Sequence, residues 1–172
     1  MFIEREITEK FEDYQKFNHL YRAAFPKEER IPVKDLIMRS GDSELIACYD
    51  GETFCGFYAT LTFGDLTHIL FLAVDENLRD RGYGSQILGQ ISRRHPKNRI
   101  ILDIEAEDPL APNNGQRIKR KAFYRKNGYT ESGIAYTWRK VPYQILIRNG
   151  HITEDEFDAF WDNLDGKRKK DL

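Results

Sequence analysis

The stretch Leu70-Phe-Leu-Ala-Val-Asp-Glu-Asn-Leu-Arg-Asp-Arg-Gly-Tyr-Gly-Ser-Gln-Ile-Leu88 decides how the chain is read. An apolar run ends at Val74, and a short polar link leads into Arg79-Asp-Arg-Gly82-Tyr-Gly84. Ile87, Leu88 and Ile91 then fall on one side of a helical pattern. A glycine turn between a strand and a helix leaves unpaired N–H groups at the helix start, where the helix dipole also favours negative charge. The stretch therefore points to a bound phosphate. Two nucleotide fingerprints can be tested on it, and both fail. G-x-G-x-x-G needs glycine where Ile87 stands, and the P-loop pattern begun at Gly84 reaches Gly89 but then meets Gln90 and Ile91.

Working outward, Thr67–Val74 and Arg99–Glu105 are nearly continuous apolar strands, as expected where both faces are covered. Glu44–Tyr49 and Thr53–Phe63 flank the hairpin signal Asp50-Gly51, and Gly64-Asp65 marks another turn. Phe2–Ile7 is a first strand. Thr8 is placed to cap a helix carrying Phe11, Tyr14, Phe17, Leu20 and Tyr21, which Phe25-Pro26 interrupts. Pro32 opens a short helix with Leu36, Ile37 and Met38, ended by Ser40-Gly41-Asp42. On the other side, the helix after the glycine turn runs to about Arg94 and Pro96 breaks it. Asp108–Gly115 is a loop, Gln116–Asn127 a helix, and Gly128 its C-terminal cap. Tyr129–Trp138 and Tyr143–Arg148 form a closing hairpin across Lys140-Val-Pro142. Thr153-Glu-Asp-Glu156 is a capping box opening a helix with Phe157, Phe160, Trp161 and Leu164 on one face. The order β, αα, βββ, α, β, α, ββ, α predicts a mixed, α+β-like α/β fold. Residues 1–150 are read as its one domain, and 151–172 as an amphipathic helix with the basic tail Lys167–Lys170.

With 172 residues, 27 Lys+Arg against 28 Asp+Glu, and 40% hydrophobic content, the chain suits one soluble domain with net charge −1. That charge gives no general case for nucleic acid or an anionic membrane surface. Nothing in the sequence resembles a signal peptide or an 18-residue apolar span, and two cysteines make no disulfide framework. A cytoplasmic protein without a metal site is expected. Cys48 and Cys55 could face each other across the hairpin, and are read as packing residues.

Arg79-x-x-Gly82-x-Gly84 resembles the Gln/Arg-x-x-Gly-x-Gly/Ala signature of the GNAT superfamily of N-acetyltransferases. Ala122-Phe-Tyr-Arg-Lys-Asn-Gly-Tyr129 is similar to that family's second motif, and Asp50-Gly51…Cys55-Gly56-Phe57 to its second and third strands. The resemblance covers about residues 1–148 and implies a mostly antiparallel sheet in which one parallel strand pair splays. It implies acetyl-CoA as co-substrate. Its pyrophosphate would lie on amides from Arg81, Gly82, Tyr83, Gly84 and Ser85, with Arg79 adding charge-assisted contact. Its pantetheine arm would pair with the strand at Leu72, Ala73 and Val74. At position 117, where the family often has asparagine, this chain has Arg117, so Asn113 or Asn114 could supply that contact instead.

Acetyl transfer from a thioester to an amine needs a neutral amine, a polarised carbonyl and a proton for the leaving thiolate. The resemblance places Tyr124, with Phe123 beside it, as the general acid near the sulfur. His68 and Glu105 are candidate bases, and ordered water is a third. The basic helix Arg117–Lys126 reads as a solvated face, or as a contact for the 3′-phosphate or an acidic acceptor. Acceptor contacts are expected from Phe25, Glu28, Glu29 and Arg30 and from Tyr136, Trp138 and Tyr143. The sequence thus suggests an N-acetyltransferase acting on a primary amine. A non-catalytic acyl-CoA-binding or regulatory module is the alternative, and a protein-interaction domain a third. The aromatics of the final helix could serve a homodimer.

Overall fold

The computed structural model describes residues 1–38 and 42–164. Its strands are β1 (Phe2–Glu6), β2 (Ser43–Asp50), β3 (Thr53–Phe63), β4 (Leu66–Val74), β5 (Arg99–Glu105), β6 (Thr130–Trp138) and β7 (Val141–Arg148). Its helices are α1 (Tyr14–Ala24), α2 (Val33–Met38), α3 (Tyr83–Arg94), α4 (Asn114–Lys126) and α5 (Glu154–Leu164). The strands form one mixed, mostly antiparallel sheet in the order β1-β2-β3-β4-β5-β7-β6, the α/β fold expected. The end of α2 expected at Ser40-Gly41, and the basic tail, lie outside the described residues. No helix among the described residues is long and apolar enough to cross a membrane.

The chain has two compact units, and β4 contributes to both. The first holds Met1–Thr62 and Ile69–Pro96. In it, β2 and β3 pair across a two-residue turn, Asp50 opposite Thr53, with Gly51 at φ 61°. Cys48 stands opposite Gly56 because a bulge shifts the register beside Tyr49, and both cysteines are buried and free. The core is aromatic. Phe17 and Tyr21 of α1 meet Phe57 edge-on at 4.8 and 5.8 Å, and Tyr21 meets Phe71 at 5.0 Å. The Tyr21 hydroxyl both donates to and accepts from the Ile31 backbone, so the buried phenol is satisfied.

α1 begins at Tyr14 rather than at Thr8. Asp13 stands at its cap, but its carboxylate accepts from the Tyr49 hydroxyl at 2.7 Å instead of capping the helix. At the other end of this unit's chain, the last turn of α3 is tied by charge. Arg94 reaches Glu4 at 3.1 Å and Glu44 at 2.6 Å, and His95 also meets Glu44. Burial pushes the Glu44 carboxyl up, but bonds from His95 and Arg94 outweigh it and hold the group below its ordinary value.

The second unit holds Phe63–His68 and the chain from Lys97 onward. Arg99 N–H donates to Asp65 C=O at 2.8 Å, and His68 meets Asp103, so β4 and β5 set out side by side in parallel. β7 is antiparallel to both β5 and β6. The β6–β7 turn is Arg139-Lys140, with φ 48° and 66°, and Pro142 lies inside β7. The connection is therefore shorter than the Lys140-Val-Pro142 link expected, because two non-glycine residues take the left-handed conformation that a two-residue hairpin demands.

The capping box of α5 forms as expected, Glu156 N–H donating to Thr153 Oγ1 at 3.1 Å. Its aromatic face is not available to a dimer partner. Phe157, Phe160 and Trp161 are buried, with Phe157 stacked on Tyr136 and Trp161 edge-on to His68. An amphipathic stripe finds its cover within its own unit here.

Candidate active site

The glycine turn follows β4 directly. Asp75 Oδ1 accepts from Asn77 N–H at 2.9 Å and starts a short 3-10 turn through Leu78. The backbone then twists through the left-handed region twice, at Asp80 (φ 63°) and Gly82 (φ 82°). Gly82 is the cap residue of α3 and, having no side chain, offers the helix no capping bond. The first helical donor is Gln86, to Gly82 C=O at 3.1 Å. The N–H groups of Tyr83, Gly84 and Ser85 thus have no partner inside the helix. Arg79 and Arg81 are exposed and make no ion pair among the described residues. Three amides without a partner inside the helix, the positive end of that helix and two guanidinium groups unpaired among the described residues are the constituents that an anion site needs.

Just before the turn, β3 approaches β4 unusually closely. A Cβ on Gly56 would lie 2.2 Å from Ala73 C=O, so only glycine fits there. The sequence signal for this approach is an isolated glycine inside the apolar run of β3, which the pattern of the run alone does not mark as a contact. The turn's other support, the Tyr83 hydroxyl donating to Asp50 Oδ2 at 2.8 Å, has no signature in the sequence. In the same unit, Phe25 joins the aromatic core against Phe71 at 4.9 Å, and Arg30 Nε is buried without a partner among the described residues. Glu28 and Glu29 lie in a 3-10 turn, with Glu28 exposed.

The second unit carries the second motif. Tyr124 is on the buried side of α4, edge-on to Phe123 at 5.1 Å and Tyr129 at 5.7 Å. Burial pushes its phenol up to about 12, against a small opposing pull from Arg120. The hydroxyl is therefore protonated at neutral pH, as a proton donor must be. The basic face expected of α4 is not simply solvated. Arg117 is 8% exposed, and its guanidinium bonds to Glu105 at 2.7 Å, Asn113 at 2.9 Å and Ala106 C=O at 3.0 Å. Lys121 and Arg125 pair with Glu131. Asn114 Oδ1 accepts from Asp108 N–H at 2.8 Å.

His68 is 1% exposed, with Nε2 2.7 Å from Asp103 Oδ1 and Nδ1 buried without a partner among the described residues. The Tyr136 hydroxyl donates to the other Asp103 oxygen. Tyr136 stacks on Tyr143 at 5.5 Å, and Trp138 meets Tyr143 edge-on with its own indole N–H buried and unpartnered among the described residues. Sequence reasoning misses this His–Asp–Tyr chain roofed by α5, since Asp103 lies at a strand position that pattern alone reads as one polar residue in an apolar run. No group of three or more His, Cys, Asp or Glu among the described residues is arranged to hold a metal ion.

Residues 41–131, more than half of the chain, match the model of the acetyltransferase (GNAT) domain. No curated protein matches the chain. Among solved structures, the chain is similar to a GNAT-family acetyltransferase from Bacteroides thetaiotaomicron (TM-score 0.78, 20% identity, covering 96% of this chain and 99% of that one). It is similar to an aminoglycoside 6′-N-acetyltransferase complexed with coenzyme A (TM-score 0.65, 15% identity, 85% and 96%). It is also similar to the ribosomal-protein-S18-alanine N-acetyltransferase from Escherichia coli (TM-score 0.60, 15% identity, 89% and 96%). At such identities the likeness is one of fold, and the family assignment comes from the domain match over the glycine turn and the second motif. The chain belongs to the GNAT family of acetyltransferases.

Proposed function

We propose that this protein transfers acetyl from acetyl-CoA to a primary amine by direct attack in a ternary complex. The observation that carries this reading is the Arg79–Ser85 turn: a left-handed Gly82, an uncapped helix start and two exposed arginines without ion-pair partners among the described residues, in a chain of this family. The pyrophosphate is assigned to the amides of Arg81–Ser85 and to Arg79. The pantetheine arm is assigned to the backbone of Leu72, Ala73 and Val74, and the N–H groups of that strand turned away from β3 polarise the thioester carbonyl. Phe123, Asn114 and Arg117 are the remaining assigned contacts. Asn114 and Arg117 are already bonded within the chain, so they act by shaping the loop.

In the proposed reaction, the amine nitrogen attacks the carbonyl carbon, the C–S bond breaks, and the thiolate takes a proton from Tyr124. The amine must first lose a proton, since its ordinary pKa is about 10.4. His68 is sealed on Asp103 and Glu105 is paired with Arg117, so of the three bases considered we assign water. The acceptor contacts assigned are those expected from the sequence: Phe25, Glu28, Glu29, Tyr136, Trp138 and Tyr143. The unpartnered Trp138 indole N–H is available to an acceptor oxygen. The acetyltransferase domain is assigned to residues 1–150, with α5 as an accessory element, and the protein is assigned to the cytoplasm.

One observation favours the alternative of a non-catalytic acyl-CoA-binding module: both side-chain bases are engaged within the protein. Thiol release from acetyl-CoA with an amine panel decides between the two. Release with an acceptor supports the enzyme, and acetyl-CoA binding without release on any acceptor supports the module.

A further inference from the structure

Tyr83 opens α3 inside the glycine turn, and its hydroxyl is engaged by the protein itself, donating to Asp50 Oδ2 at 2.8 Å. Asp50 is the last residue of β2, at the tip of the β2–β3 hairpin. The same hairpin holds the start of the turn, where Asp75 N–H donates to Cys55 C=O at 2.8 Å. Between these two fixed points, Glu76, Asn77, Arg79, Asp80, Arg81 and Gly82 are exposed. The first fixed point is a backbone bond that any side chain preserves. The second depends on side chains, the Tyr83–Asp50 pair with the Cys55 thiol also in contact with Tyr83.

We propose that Asp50 is a positioning residue for coenzyme A: through the Tyr83 hydroxyl it fixes the Arg79–Ser85 turn on the β2–β3 hairpin before the pyrophosphate binds. This rests on the reading of that turn as the pyrophosphate cradle. A carboxylate beside an anion site is unfavourable in itself; Asp50 is held there by the Tyr83 phenol on Oδ2 and by the Met1 amino group 3.4 Å from Oδ1, and only the phenol links it to the turn. Amides set in place beforehand bind without the cost of first ordering a loop. The Asp50 side chain is 48% exposed, so the bond is screened and its effect is moderate.

The test is CoA binding by calorimetry to wild type, Asp50→Ala, Asp50→Asn, Tyr83→Phe and the Asp50→Ala/Tyr83→Phe double variant, with kcat and KM for acetyl-CoA where an acceptor is known. Asp50→Ala and Tyr83→Phe are each expected to weaken binding about three- to ten-fold, and the double variant no more than either. KM for acetyl-CoA is expected to rise while kcat holds. Asp50→Asn keeps an oxygen acceptor and is expected to stay within about two-fold of wild type. If the carboxylate acted by charge alone, Asp50→Asn and Asp50→Ala would both tighten binding, and that result overturns the proposal. Unchanged affinity in Asp50→Ala and Tyr83→Phe also overturns it. Should Asp50→Ala fail to fold by circular dichroism, Tyr83→Phe, which removes one oxygen, decides the matter. A wild type without CoA affinity overturns the cradle reading and this inference together, whereas wild-type affinity that both substitutions leave untouched overturns the inference only.

Discussion

Gly56→Ala tests the close approach of β3 to β4 that shapes the strand before the glycine turn. The added Cβ would lie 2.2 Å from Ala73 C=O, 3.1 Å from Val74 Cα and 3.2 Å from Ala73 C. A carbon–oxygen contact settles at about 3.3 Å, so the two strands must part by about 1 Å. All three neighbours are backbone atoms, and no side chain can swing aside. Phe57 and Ala73 are buried, which leaves little room to yield. Overpacking of this kind costs about 1–3 kcal/mol, and backbone neighbours put this case at about 2 kcal/mol or more. For a chain of this size that is a fall in Tm of about 4–8 °C. The displaced segment includes the Ala73–Val74 backbone assigned to the pantetheine arm, so CoA affinity should fall as well. Thermal unfolding by circular dichroism and calorimetric CoA titration read the two effects. A Gly56→Ala protein with wild-type Tm and wild-type CoA affinity would refute the reasoning.

Three further outcomes are expected. Tyr124→Phe should lower kcat about 100-fold with CoA affinity intact, because only the proton donor is lost. Wild-type turnover by this variant, measured by thiol release, removes the assignment. Arg117→Ala should lower the urea-unfolding free energy by about 2–3 kcal/mol, since Glu105 then keeps a half-buried charge and Ala106 C=O loses its donor. An unchanged midpoint would show that the pair carries no stability. Glu44 is held below its ordinary carboxylate value, so its contribution is present above that value and lost as pH falls through the folded one. The Tm advantage of wild type over Glu44→Gln should therefore shrink as pH is lowered from about 6 toward 3, and an advantage that does not change with pH would contradict the charge account.

What is legible in the sequence is local and periodic. Ile87, Leu88 and Ile91 announce α3, Asp50-Gly51 announces a hairpin, and Thr153-x-x-Glu156 announces α5, because each pattern lies within a few residues of chain. What stays hidden is pairing at a distance. Thr8 reads as a helix cap, and α1 instead starts after Asp13, whose carboxylate is taken by Tyr49 from another element. Arg117 reads as one more solvated cation on a basic helix, and it is buried because Glu105 and Ala106 supply acceptors at the end of β5. His68 reads as a candidate base at a strand start, and its burial depends on Asp103, Phe160 and Trp161, all far along the chain. The candidate site divides in the same way. Arg79, Gly82 and Gly84 resemble the family signature in their spacing and are assigned to the pyrophosphate on that ground, whereas the parts proposed for Asp50 and Gly56 emerge only when the hairpin is laid beside the turn.

The central claim is that the protein moves acetyl from acetyl-CoA to an amine. Its most direct measurement is release of the CoA thiol on incubation with acetyl-CoA and a panel of amines, including peptides with free N-termini and lysines. Stoichiometric thiol release with at least one amine is expected, matched by an acetylated product in mass spectrometry. Tight acetyl-CoA binding with no thiol released on any acceptor would contradict it.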